Sequence, residues 1–394
     1  MIMSEGKSAD NLPVGAVGVK DGAGNRDVSA PSSSDRRQFL KAAGAGAVTL
    51  LAGAAGASAQ QRPITQPVRS EALPAIQLRP FGRQSDVKVS ALGLGGHHLG
   101  DVPVVEDAIR IVHEAIDGGV TFFDNCWEYH NGKSENWLGR ALAGKRDNVF
   151  LMTKVCTHGR SAPLAMQMLE QSLRRLQTDH LDLWQIHGVT FDNDPDLAYA
   201  KGGVLEALDL AKKQGKVRFV GFTGHKDPAI HLRMVQMGYP FDAVQMPLNP
   251  FDASFLSFEQ MVLPELTRRN IAALGMKSMN GTAEAVKSGL VTAEEMLRYA
   301  MSLPVTTTIT GIDSPEVLRQ NLRIAQSFKP MSSQEMDALR QRCADPAGDG
   351  RFELYKVSLV YDNPQARLPH HFPVDQQQKE VKEMFEANLT ASPI

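Results

Sequence analysis

Short apolar runs alternate with amphipathic stretches of helical length from residue 87 to about residue 326, and few folds accept such a pattern. The runs are VSALGLG (89–95), TFFDN (121–125), VFLMTKV (149–155), LDLWQIH (181–187), RFVGFTG (218–224), AVQMPL (243–248), IAALGMK (271–277) and TTTITG (306–311). Between them, stretches such as 104–117, 161–176, 203–213 and 315–326 read as amphipathic helices. Strands alternating with helices imply crossover units and a parallel sheet. Eight units in roughly 240 residues predict an α/β protein of the (β/α)8 TIM barrel class, because open doubly wound sheets more often use about five or six strands. The open sheet is the alternative. GLGGHHLG (93–100) weakens it, being glycine-rich without the GxGxxG spacing that seats a pyrophosphate on a helix end.

The chain has 394 residues, and 42 basic against 44 acidic side chains leave a formal charge of -2, which gives no reason to expect a nucleic-acid partner. Three cysteines exclude a disulfide framework and a four-thiolate metal or iron-sulfur site within one chain.

Both ends lie outside the eight units. Residues 1–33 are rich in Gly, Ser and Asp without apolar periodicity, as in a disordered leader. Residues 34–60, SDRRQFLKAAGAGAVTLLAGAAGASAQ, run from paired arginines through a weakly apolar small-residue stretch to a small-x-small cleavage pattern at Ala57, Ser58 and Ala59. Arg36 and Arg37 followed by Phe39, Leu40 and Lys41 resemble a twin-arginine (Tat) signal, the mark of a route that exports folded proteins. The expectation is a leader and signal over 1–59, a partnership with the Tat export machinery, a periplasmic or otherwise exported mature chain and no transmembrane domain in it. Residues 60–86 read as a linker that wraps the next domain without forming its core, 87–329 as the barrel, and 330–394 as a carboxyl-terminal extension. In the extension, MSSQEMDALRQRC and QQQKEVKEMFEANL read as helices, and whether it covers the barrel wall or lips the mouth is left open.

Polar residues at the carboxyl ends of barrel strands face the mouth. Asp124 and Tyr129 follow strand two, Lys154 ends strand three and His187 ends strand four. A lysine inside an apolar strand end needs a buried partner, which points to Asp124 on the adjacent strand. A lysine near a phenol can lower the phenol pKa from about 10, making Tyr129 a usable proton donor and acceptor. His187 can polarise a carbonyl oxygen. The plainer alternatives are a structural ion pair, an exposed loop aromatic and a rim histidine.

FFDNCWEYHNGKSENWLGRAL (122–142), LMTKV (151–155) and LWQIHG (183–188) resemble the aldo-keto reductase family. The resemblance implies a catalytic Asp124, Tyr129, Lys154 and His187 tetrad, and a cleft for NADP or NAD. It places Thr223, Gly224, His225 and Gln245 at the nicotinamide, Met276, Lys277 and Ser278 at the pyrophosphate, and Gly311, Asp313, Gln320 and Asn321 at the adenosine, with Gly95 at the end of strand one. No resident metal is expected. ITGIDSPEVLRQN (309–321) has Arg319 as its only basic residue and carries Asp313, which puts the choice between the two cofactors in doubt. Gly224 replaces an asparagine common in the family. His97, His98 and Trp127 are candidates to line the substrate pocket. Cys126 and Cys156 could pair in an oxidising compartment, without geometry to establish it, and Cys343 reads as an isolated thiol.

The resulting expectation is reversible reduction of an aldehyde, ketone or sugar-like carbonyl to an alcohol. Two rivals follow from the export pattern: an epimerase or isomerase with a retained nicotinamide cofactor, and a non-catalytic nicotinamide-binding accessory protein.

Overall fold

The computed structural model describes residues 74–155, 160–358 and 361. The expected leader and signal, the first part of the expected linker, Cys156 and the expected helix QQQKEVKEMFEANL lie outside the described residues.

Strands β1 (Leu78–Phe81) and β2 (Gln84–Ser90) form an antiparallel hairpin. Eight parallel strands follow: β3 (Leu92–Gly95), β4 (Phe122–Asp124), β5 (Phe150–Val155), β6 (Leu181–Ile186), β7 (Val217–Thr223), β8 (Ala243–Pro247), β9 (Ala272–Met276) and β10 (Thr307–Gly311). Pairing of β10 with both β3 and β9 closes them into a barrel, as the eight apolar runs predict. The anticipated helices appear as Val105–Asp117, Ala162–Leu176, Val204–Lys213 and Pro315–Gln326.

Strand alternation sets up two layers inside the barrel. Phe122, Met152 and Ala243 belong to an apolar interior cluster with Phe150, Leu183, Phe219, Leu274 and Ile309. Two residues further along their strands stand Asp124, Lys154 and Gln245, at the mouth. The lower layer keeps water out and the upper one presents polar groups.

The hairpin corrects the expected boundary at residue 86. Phe81 has no exposed surface and packs its ring 4.8 Å from Phe150 and 5.1 Å from Phe219, closing the amino-terminal end of the barrel. Phe81, inside the expected linker, therefore supplies core. The turn depends on Gly82, whose φ of +53° suits glycine and whose added Cβ would lie 2.6 Å from the Ala272 nitrogen. Val89 and Ser90, anticipated in the first barrel strand, end the hairpin instead. The Ser90 hydroxyl donates to the Leu92 carbonyl at 2.6 Å, a local bond that favours a bend there.

The extension takes both positions that the sequence left open. Helix Ser333–Ala347 begins with a capping box between Ser332 and Glu335 and lies on the barrel's outer wall, where Arg340 meets Glu259 at 2.6 Å. Residues 353–356 then reach the mouth. Lys356, fully buried, pairs with Asp252 at 2.6 Å and Glu353 at 2.9 Å, pegging the segment to the loop after β8. No helix among the described residues is long and apolar enough to cross a membrane.

Candidate active site

Asp124 ends β4, Lys154 stands next to the end of β5, and His187 follows β6. Lys154 Nζ donates to Asp124 Oδ1, to the Asn125 carbonyl at 2.9 Å and to the Tyr129 hydroxyl at 3.2 Å. Gln245 Nε2 donates to the second Asp124 oxygen at 3.0 Å. Lys154 and Asp124 are 1% and 4% exposed, so neither charge has water to solvate it and each requires the other. The anticipated pair is present. The Tyr129 and His187 rings meet edge to face with centroids 5.9 Å apart. Arg160, itself paired with Asp194, holds the His187 carbonyl at 3.1 Å and so fixes the strand end beneath the imidazole.

Protonation differs from the sequence expectation in one respect. Burial pushes the Tyr129 phenol above its ordinary value, and this outweighs the downward pull of Lys154. Asp124 adds to the upward push, since its charge offsets the lysine's at the phenol. Tyr129 is therefore a protonated donor at neutral pH. Burial also opposes charge on Lys154, but Asp124 leads the groups that hold the ammonium above its ordinary value.

Asp124, Tyr129 and His187 line a cavity of about 1130 Å³, and Lys154, bonded to the first two, is not on its wall. Gly95, His225, Gln245, Met276, Lys277, Ser278, Gly311, Asp313, Gln320 and Asn321 line the same cavity, as do His97, His98 and Trp127. Thr223 and Gly224 do not: Thr223 is buried with its hydroxyl 3.9 Å from the Met276 sulfur, and a Cβ on Gly224 would collide with the Val189 carbonyl oxygen. Burial and then Lys154 push the Lys277 ammonium down to about 8. Its Nζ lies 5.6 Å from the Tyr355 ring centre and 5.1 Å from that of Tyr361.

The aldo/keto reductase family model matches residues 91–284. Residues 91–284 form an aldo/keto reductase domain. The chain is 24% identical to the oxidoreductase YqkF of Bacillus subtilis over 65% of its own length and 93% of that protein's. It is 36% identical to L-galactose dehydrogenase of Arabidopsis thaliana over 38% of its own length and about half (49%) of that enzyme. In fold it resembles an aldo-keto reductase from Klebsiella pneumoniae solved with NADP and acetate, with a TM-score of 0.56 and 22% identity over 68% of this chain and 96% of that one. The match makes residues 91–284 an oxidoreductase domain of the aldo/keto reductase type.

Several features of this aldo/keto reductase domain escaped sequence reading. Glu128 lines the cavity and pairs with His187, and no motif singled it out. Tyr355 and Tyr361 come from the extension, and only tertiary packing brings them to Lys277. Gly224 is explained by packing: the turn after β7 runs so close to Val189 that an asparagine side chain has no room. Arg319 is turned outward to Glu114 at 2.6 Å. Cys126 and Cys343 are free buried thiols. The Cys126 sulfur lies 3.4 Å from His187 Nδ1.

Proposed function

We propose that the domain reversibly reduces a small polar carbonyl compound to an alcohol, using NAD or NADP held along the cleft. The observation that carries this reading is the contact of Lys154 with both Tyr129 and Asp124, two residues that line the cavity. The cleft suits the cofactor. Gln245 Oε1 is buried with no partner among the described residues, as an acceptor for a carboxamide requires, and Lys277 with Ser278 offers donors to a pyrophosphate. When bound, the nicotinamide supplies the hydride that reaches the carbonyl carbon.

The chain's own residues handle the proton. Tyr129, held protonated by burial, gives its hydroxyl proton to the carbonyl oxygen as that oxygen becomes an alcohol. Lys154 stabilises the phenolate left behind, and Asp124 keeps the lysine charged. His187 polarises the same oxygen from the neighbouring strand end. Alcohol oxidation reverses these roles. Replacing Tyr129 with Phe should lower kcat for an aldehyde such as methylglyoxal on the order of 10²–10⁴-fold with cofactor affinity intact. An unchanged rate would overturn the assignment.

Arg36–Arg37 and the small-residue run to Ala59 support export through the Tat machinery to the periplasm or beyond. No freely exchanging nicotinamide pool is expected there, which favours a retained cofactor. The aromatic cover on Lys277 by Tyr355 and Tyr361 supports retention. A retained cofactor makes net epimerisation of a sugar-like alcohol the second reading, with oxidation and re-reduction in one site. Mass spectrometry of the mature protein from its native compartment tests both. Stoichiometric cofactor and turnover without an added redox partner favour epimerisation, and a freely exchanging cofactor favours ordinary reduction. Absence of cofactor together with no rebinding would sink hydride transfer and move weight to a non-redox role.

A further inference from the structure

Glu128 directly precedes Tyr129 in the chain, yet its carboxylate turns to a different strand end. Glu128 Oε1 stands 2.6 Å from His187 Nδ1, and both side chains line the cavity. An ionised carboxylate only accepts hydrogen bonds, so the imidazole nitrogen facing it carries a hydrogen. The other neighbour of that nitrogen is the Cys126 thiol at 3.4 Å. Burial and then the Glu128 charge push this thiol well above its ordinary value, so it stays neutral and does not replace the carboxylate as the charged partner.

With its hydrogen on Nδ1, a neutral imidazole has a bare Nε2 that can accept but not donate. To give a hydrogen bond to a carbonyl oxygen through Nε2, the ring must take a second proton, and an adjacent carboxylate stabilises the resulting imidazolium. We infer that Glu128 is a positioning residue that fixes the orientation and tautomer of His187, so that the histidine donates to a carbonyl oxygen when doubly protonated and accepts from an alcohol when neutral. The inference rests on the reductase reading of the site. It divides labour: Tyr129 moves the proton, and the Glu128–His187 pair sets the direction in which the substrate oxygen is held. Other groups close to His187 are Tyr129, whose ring meets the imidazole edge to face, Arg160 on the His187 carbonyl, and His225 from the turn after β7. The Lys154 and Arg160 cations are each committed to a buried acid, Asp124 and Asp194. Glu128 remains the carboxylate in direct contact with the imidazole.

The test compares full-length wild type with Glu128→Gln and Glu128→Asp. With NADPH or NADH and methylglyoxal, Glu128→Gln should lower kcat on the order of 100-fold, the lower end of what a general acid contributes. KM should change little, the alkaline limb of the kcat profile, where the doubly protonated histidine is lost, should move to lower pH, and Glu128→Asp should recover part of the rate. A pH profile and kcat equal to wild type in Glu128→Gln would overturn the inference. Nitrogen-15 NMR of labelled histidines, with His187 assigned by its loss in His187→Gln, provides a readout that needs no turnover. Wild type should carry the hydrogen on Nδ1 and Glu128→Gln should lose that preference. A neutral His187 with its hydrogen on Nε2 and none on Nδ1 in wild type would overturn the pairing, whereas an Nδ1 hydrogen with no hydride transfer to any carbonyl would uphold the pairing and remove the reductase reading alone.

Discussion

Lys277 Nζ lies 5.6 Å from the centre of the Tyr355 ring, so a lysine at the end of a barrel strand is covered by a side chain of the carboxyl-terminal extension. Tyr355 has no exposed surface, and its hydroxyl donates to Glu353 at 2.6 Å. Glu353 is in turn held by Lys356, and Lys356 by Asp252 after β8. The extension reaches the site through this buried chain of charges.

Removing the central cation should therefore loosen the extension. Lys356→Met leaves Asp252 and Glu353 buried without their cation, a change that costs about 3–5 kcal/mol in comparable sites. Urea denaturation should show that loss. Adding Asp252→Asn should restore part of it, since one uncompensated charge is then gone, and a double variant no more stable than the single would contradict the pairing.

Lys277 should make cofactor binding pH-dependent. Burial and then Lys154 lower its pKa to about 8, so its ammonium is present below pH 8 and is lost as pH rises through that value. Affinity for NADP or NAD, followed by fluorescence titration, should fall from pH 7 to pH 9.5. In Lys277→Met the slope should disappear and the affinity should be low throughout.

Asp313 lines the cleft and would repel a 2'-phosphate bound beside it, while Arg319 is engaged with Glu114 at 2.6 Å. NADH should bind more tightly than NADPH. Asp313→Asn should shift the ratio toward NADPH by roughly fivefold, about 1 kcal/mol for an exposed charge pair in water, and high salt should shrink the shift. A ratio insensitive to Asp313 would place the adenosine elsewhere.

Phe81→Ala tests the plug at the base of the barrel. The ring is fully buried against Phe150 and Phe219, and truncation of such a side chain costs about 3–5 kcal/mol. The measurement is the denaturation midpoint. Activity below the transition should survive, because Phe81 sits at the end of the barrel opposite Asp124 and Lys154.

The barrel and the strand-end positions of Asp124, Tyr129, Lys154 and His187 were legible because they depend on local order in the chain. Apolar runs of strand length separated by helical periods leave little choice but a closed parallel sheet, and a polar residue at the end of such a run is carried to the mouth by strand alternation. Phe81 escaped this reading because proline-rich flanks gave the segment the composition of a linker, while its core role comes from packing against strands far along the chain. The phenol of Tyr129 escaped in another way. The sequence reveals the lysine that lowers its pKa, but only the folded site reveals how completely the ring is buried, and burial wins.

The sequence by itself determined the number of strands and the strand-end positions of Asp124, Tyr129, Lys154 and His187, because each follows from spacing along one strand or one turn; the cleft residues named with them came from the family resemblance. Tertiary structure alone decided the Glu128–His187 contact, the cover of Tyr355 on Lys277 and the loss of Thr223 and Gly224 from the cavity wall. Those depend on the direction of a side chain and the distance between segments remote in sequence, which closing the barrel fixes and local periodicity does not encode.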